Sequence, residues 1–211
     1  MRLLDLFFPP KCAACGVKCA PARLCPACLK DFSHAASFHG TVTLDSGYTV
    51  AYAFNYTGAV REIIHNFKFN AQPYFADMLG KAVAGCAMGL PNTRFDLVTF
   101  VPTHPARIRE RGYDQAFLIA KWAAKALGLP CVKAARKAVN NRPQSSLSAA
   151  ERAANARGAY SVPKTAAVAG KNVLLVDDVL TTGATLTACA DALMSAGAEA
   201  VYGAAAAHGV N

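Results

Sequence analysis

Two adjacent carboxylates, Asp177 and Asp178, stand between an apolar run and a stretch of threonine and glycine. Val173 to Val176 is short and continuously apolar, the pattern of a strand buried on both faces of a parallel sheet. The acidic pair falls where that strand should end. Thr181, Thr182, Gly183, Ala184 and Thr185 then open an Ala-rich helix that should run to about Ala196. A helix N-terminus preceded by small and hydroxyl residues attracts anions, because free N–H groups and the positive end of the dipole face one point. Carboxylates beside an anion cradle suit a phosphorylated sugar: its hydroxyls donate to the acids while its phosphate takes the N–H groups and Thr hydroxyls. Two plainer readings compete. A Walker B strand also ends in acid, but no GxxxxGK[ST] loop occurs in the chain. An ordinary strand, turn and capped helix would leave both acids merely solvated.

A second group of chemically active residues lies near the N-terminus. Cys12-Ala-Ala-Cys15 and Cys25-Pro-Ala-Cys28 are two CxxC pairs, and each turn can aim two thiolates at one centre. Together they make an all-thiolate tetrahedral site suited to structural Zn2+. So short a segment has little core of its own, so metal binding would supply much of its folding free energy. Cys19 is a fifth thiol inside the loop and is read as spare. Redox-active or disulfide-bonded pairs are the alternative, which a cytoplasmic setting disfavours. Cys86, Cys131 and Cys189 sit in apolar contexts and read as small buried hydrophobes.

The rest of the chain must position these groups. Its 211 residues suit one medium domain plus a small appendage, and 54% apolar residues are ample for a core. No apolar run reaches the ~20 residues a membrane span needs. The opening MRLLDLFFPP carries Asp5 and runs into Pro9-Pro10 without a small-residue cleavage site, so it reads as a short amphipathic helix. The chain is expected to be cytoplasmic. Its net charge of +9 is uneven: between Val101 and Arg157 eleven Lys and Arg face three acids, Glu110, Asp114 and Glu151. A local basic excess points to a polyanionic ligand, with a merely soluble basic surface as the alternative.

Tyr48 to Tyr56 reads as a strand, Val60 to Phe69 as a helix, and Tyr74 to Met88 as a second helix. Lys68, near the end of the first helix, could contact an anion, with a solvated lysine as the favoured reading, and His65 is expected to serve packing or surface. Phe95 to Val101 reads as the first core strand, ended by the rigid loop Pro102-Thr103-His104-Pro105. Arg107, Arg109 and Arg111 alternate, as in an extended loop lining an anionic site, before a helix through about Leu127. A strand is expected around Pro130 to Ala135. The polar segment Arg136 to Arg157 then reads as a basic flap, with a Ser148–Glu151 capping box ahead of Arg152 and Asn155. Ala200 to Ala207 supplies a last strand.

These motifs carry a resemblance. VLLVDDVLTTGAT resembles the phosphoribosyl pyrophosphate (PRPP) motif of type I phosphoribosyltransferases. Together with the four-cysteine knuckle, VPTHPARIRERGYDQA and RPQSSLSAAERAANARGAY, in this order, it resembles the ComF/GntX family over nearly the whole chain. Two details depart from that pattern: Tyr113-Asp114 where Phe-Asn is common, and Asn140-Asn141 where Thr or Arg is usual. The resemblance implies an α/β fold: a type I phosphoribosyltransferase-like parallel sheet flanked by helices over 41–211, behind a zinc-ribbon-like module over 1–40. It implies that Asp177 and Asp178 bind the ribose hydroxyls of PRPP and that residues 181 to 185 hold the 5′-phosphate. Mg2+ would ride mainly on pyrophosphate and ribose oxygens. Pro102, Thr103, His104 and Arg107 would take pyrophosphate, with Arg152 closing over it. Catalysis would rest on positioning and electrostatics, with no protein nucleophile. Some relatives act in natural transformation, which implies a role in DNA uptake, single-stranded DNA as a ligand and other competence proteins as partners. A rival reading is a single-strand binding module whose transferase fold is kept for ligand sensing. In it Arg107, Arg109 and Arg111 supply charge while Tyr113 and Tyr160 supply stacking faces.

Overall fold

The computed structural model describes residues 11–19, 24–35, 39–69, 73–90, 94–137, 158–163 and 167–209. The expected N-terminal helix, the capping box and Arg152 lie outside them. The central strand is the one that the acidic motif announces, here β6 (Asn172–Leu180). Its neighbours are β7 (Ala200–His208) and β3 (Leu97–Phe100), both parallel to it. Beyond β7 come β2 (Thr49–Asn55), also parallel, and β1 (Gly40–Thr43), antiparallel to β2. The order β1-β2-β7-β6-β3 makes an α/β fold with a mostly parallel sheet.

Side chains alternate across a strand, and β6 uses that alternation to join two cores. Leu174 and Val176 pack with α2 (Gly58–Phe69), α3 (Ala76–Ala87) and α5 (Gln115–Leu127). Val173 and Leu175 pack with α6 (Ala184–Ser195) on the other face. Both layers are Ala-rich, which lets helices lie close. At Gly80 of α3 a Cβ would fall 2.6 Å from the Ile119 carbonyl oxygen of α5, so only glycine fits that crossing.

Most expected elements appear within a few residues of their anticipated ends. Four differ for physical reasons. The motif strand does not stop at Val176: β7 pairs with it as far as Leu180↔His208, while β3 ends at Phe100↔Val176. Pro130 to Ala135 forms no ladder, only a parallel bridge from Cys131 to Val98. Four-residue β3 offers it little: Val98 bonds both Pro130 and Val132, and Thr99 Oγ1 accepts from the Ala134 N–H at 3.3 Å. The arginine stretch is helix, not extended loop. It forms α4 (Pro105–Arg111), opened by His104, whose Nδ1 accepts from the Ala106 N–H at 3.2 Å, and closed by Gly112 at φ +83°. Finally, β1 adds a hairpin that the sequence reading did not anticipate.

α1 (Pro26–Ala35) ties the cysteine segment to the body. Phe32 packs on Phe54 with ring centroids 4.8 Å apart, and Asp31 Oδ2 accepts from the Ala59 N–H at 2.7 Å, capping α2. The buried knuckle residues Cys12, Ala13, Ala14, Leu24 and Cys25 belong to the same apolar cluster as the helices on that face.

Candidate functional site

Because the strand runs through the acidic pair, its two carboxylates leave on opposite sides of the backbone. Asp178 follows Leu174 and Val176 to the α2 face. There its Oδ1 lies 3.0 Å from Lys68 Nζ, with the side chains 16% and 21% exposed. The favoured reading of Lys68 as solvated does not hold: the strand presents a carboxylate to the last turn of α2. Burial alone would lower Lys68, but Asp178 outweighs it and holds the ammonium above the usual lysine range. Asp177 follows Val173 and Leu175 toward the α6 face, and its Oδ1 accepts from the Asp178 N–H at 2.8 Å. Burial, then the neighbouring Asp178, push Asp177 up to about 8.

Three exposed or small residues, Thr181, Thr182 and Gly183, join β6 to α6. Gly183 has φ +74°, and a Cβ there would meet Leu44 Cδ1 at 2.6 Å. The unanticipated hairpin therefore packs on this loop. It also touches α6 beyond it: Ser46 Oγ lies 2.9 Å from Thr187 Oγ1, and Tyr48 donates to Asp191 Oδ1 at 2.9 Å. Ala184 and Thr185 form the first turn of α6 with their N–H groups toward the loop.

The loop after β3 reaches the same region through Asp114. This buried acid caps α5, accepting from the Phe117 N–H at 3.3 Å, and holds the Thr103 N–H at 2.9 Å. Burial raises its pKa, with the two N–H groups opposing and Asp178 adding to the rise. The sequence carried a signal for this role, an Asp immediately before an apolar-periodic helix. An Asn at this position would cap equally well. On α4, Arg107 and Arg111 stand one turn apart and are half-buried, whereas Arg109 points elsewhere and is exposed. Arg111 donates to Gln115 Oε1 at 3.0 Å and lies over the Phe69 ring at 5.2 Å. Pro102 is buried; Thr103 and His104 are half-buried.

The start of the expected flap, β4 (Arg136–Lys137), pairs with β5 (Tyr160–Ser161), just beyond its end at Arg157, in a short ladder. Lys137 Nζ lies over the Tyr160 ring at 5.4 Å. Burial lowers the Lys137 pKa, and Asp177 counters that. Tyr160 is 7% exposed and its buried hydroxyl has no hydrogen-bond partner among the described residues. It offers no stacking face. Tyr113 is half-buried, with its ring stacked on Phe67 and its hydroxyl donating to the Phe67 carbonyl.

At the knuckle, the sulfur atoms of Cys12, Cys15, Cys25 and Cys28 lie within 4.8 Å of one another, so these four cysteines can hold a metal. The Cys15–Cys25 separation of 3.8 Å matches the edge of a tetrahedron with bonds of ~2.3 Å. Burial would raise Cys12, yet the N–H groups of Cys15, Cys25 and Ala14 pull it down to about 6. Cys28 is raised, first by burial and then by the neighbouring thiols. Cys86 and Cys189 are buried, as expected, while Cys131 is half-buried.

A phosphoribosyl transferase domain model matches residues 114–209, spanning the acidic pair, the threonine loop and α6. This part of the chain is similar to phosphoribosyl transferase domains. The resemblance to competence proteins also holds. Competence protein ComFC of Bacillus subtilis is 28% identical over 70% of this chain and 58% of its own length. Competence protein F of Haemophilus influenzae is 29% identical over 66% and 63%. The chain thus spans about three fifths of these relatives. Among solved structures, the glutamine phosphoribosylpyrophosphate amidotransferase of Bacillus subtilis is 26% identical over 63% of this chain and 26% of its own, with a TM-score of 0.43. An adenine phosphoribosyltransferase from Thermoanaerobacter pseudethanolicus is 18% identical over 85% and 99%, with a TM-score of 0.40. The matched domain begins at the Asp114 cap, so Lys68, the 102–104 loop and the arginines of α4 precede it. No helix among the described residues is long and apolar enough to cross a membrane.

Proposed function

We propose that this protein binds PRPP with Mg2+ and acts as a phosphoribosyltransferase in the handling of incoming DNA in the cytoplasm. The observation that carries the reading is the acidic pair on β6 followed by a three-residue threonine–glycine loop into α6, inside the residues similar to phosphoribosyl transferase domains. Thr181, Thr182, Gly183, Ala184 and Thr185 would hold the 5′-phosphate with N–H groups and hydroxyls. Asp177 and Asp178 would accept from ribose hydroxyls, one from each side of the strand. Pro102, Thr103 and His104, fixed by Asp114, would border the pyrophosphate with Arg107 and Arg111. Mg2+ bound to PRPP would neutralise pyrophosphate charge. In the transfer, the bond from C1 of the ribose to pyrophosphate breaks and its electron pair leaves with pyrophosphate. The acceptor's lone pair forms the new bond to C1 and the acceptor loses a proton. Four thiolates holding structural Zn2+ would order the knuckle.

The test is pyrophosphate release from PRPP with Mg2+, run with single-stranded DNA, bases and amines as acceptors. Release that needs one acceptor and disappears in Asp178→Asn supports transfer. PRPP binding without release favours the second reading, a ligand-sensing single-strand binder, for which exposed Arg109 beside half-buried Arg107 and Arg111 is the favouring observation. Absence of PRPP binding sinks both.

A further inference from the structure

Among the described residues the acidic pair takes its ion pair from Lys68, which comes from α2, outside the matched residues. Its placement is costly: a lysine side chain 21% exposed gives up most of its hydration and rotamer freedom. Several contacts fix its helix there. Asp31 caps the N-terminal end of α2, Phe67 is fully buried, and Tyr113 donates to the Phe67 carbonyl beside it. Arg111 lies over the next residue, Phe69. The last turn of α2 therefore meets the end of α4, on the side where Asp114 holds Thr103. The charged and titratable groups facing the ammonium are Asp178, Asp177 and Tyr56, and Asp178 is in turn within electrostatic reach of Asp114.

A carboxylate with a tight ammonium partner is a poorer acceptor for a ribose hydroxyl, because the two donors compete for the same oxygens. An ammonium released from it needs another anion close by, and a lysine on a four-carbon stem can swing to one. Resting on the PRPP reading above, we propose that Lys68 is an exchangeable counter-ion. It pairs with Asp178 until a ribose hydroxyl donates to that carboxylate, and then transfers its ammonium to the pyrophosphate of the same ligand. Lys68 thereby couples recognition of the sugar to recognition of the diphosphate, and the site discriminates PRPP from sugar phosphates that lack pyrophosphate.

The experiment measures binding of Mg2+–PRPP, ribose 5-phosphate and Mg2+–pyrophosphate to the full chain by calorimetry. It compares wild type with Lys68→Met, Lys68→Arg and Asp178→Asn, each checked for folding by thermal melting. Loss of one charge-assisted contact predicts about 30-fold weaker PRPP binding by Lys68→Met. Ribose 5-phosphate should be unchanged or tighter, and Lys68→Arg should recover most of the loss. Asp178→Asn, which frees the ammonium, should bind pyrophosphate at least as well as wild type. Equal losses for PRPP and ribose 5-phosphate in Lys68→Met would make Lys68 only a prop for Asp178 and overturn the exchange. So would unchanged PRPP affinity, or loss of pyrophosphate binding in Asp178→Asn. Wild-type protein that binds no PRPP refutes the underlying reading instead, and the proposal with it.

Discussion

Four thiols crowd within 4.8 Å at the knuckle, and two neighbouring carboxylates crowd on β6, but the compensation differs. Burial, backbone N–H groups and the thiols themselves set the proton affinities of Cys12 and Cys28. At the acidic pair a lysine of the protein's own sits 3.0 Å from Asp178. The knuckle's four sulfurs can take a cation from outside, whereas the acidic pair already has a counter-ion supplied by the fold.

The largest effect should come from breaking the knuckle. Chelation, or Cys25→Ser, is expected to remove one metal ion per chain and lower the melting midpoint by about 10 °C, measured by metal analysis and calorimetry. Through α1 it should also loosen the Asp31 cap of α2. An unchanged melting midpoint after metal loss would erase the contrast.

Next is the pH response of the acidic pair. Asp177 is pushed up to about 8, whereas the same carboxyl in the unfolded chain titrates near 4. Between those values the folded state binds the extra proton, so stability falls as pH rises from about 4 to about 8, and the loss is complete above that. Asp177→Asn should flatten this slope and stabilise the protein at pH 8 by roughly 1–3 kcal/mol, read from urea unfolding at pH 5 and pH 8. It should also lose PRPP binding. A variant less stable than wild type at pH 8 would show the pair to be already compensated on both sides.

Gly183→Ala should cost about 1–3 kcal/mol, from positive φ and the clash with Leu44, and should weaken 5′-phosphate binding. Arg109→Ala should barely matter for PRPP, changing affinity less than about twofold, since exposed charges contribute little. If it instead lowers the salt slope of single-strand binding by about 0.7, the basic face of α4 serves nucleic acid.

What could be read from the sequence was local. The apolar run, the acids and the threonine loop are contiguous, so strand, loop and helix followed from a few positions. The CxxC spacing likewise placed four thiols together. The arginine stretch misled because alternation of charge mimicked a strand, while the stronger signals were His104-Pro105 at one end and Gly112 at the other, a helix start and stop. The pairing of Lys68 with Asp178 joins residues 110 positions apart and left no trace in either neighbourhood. The division at residue 40 is not matched by a gap in packing, since knuckle residues share a core with α2 and α3.

The hairpin that packs on the threonine loop has a consequence for the order of assembly. Val50 of β2 pairs with Gly203 of β7, about 150 residues later in the chain. A ribosome releases the hairpin well before β7, yet its seat in the sheet exists only once β7 is made. Leu44, Ser46 and Tyr48 therefore dock on Gly183, Thr187 and Asp191 only after β7 is in place, so the threonine loop takes its finished shape when an early hairpin closes on a late strand.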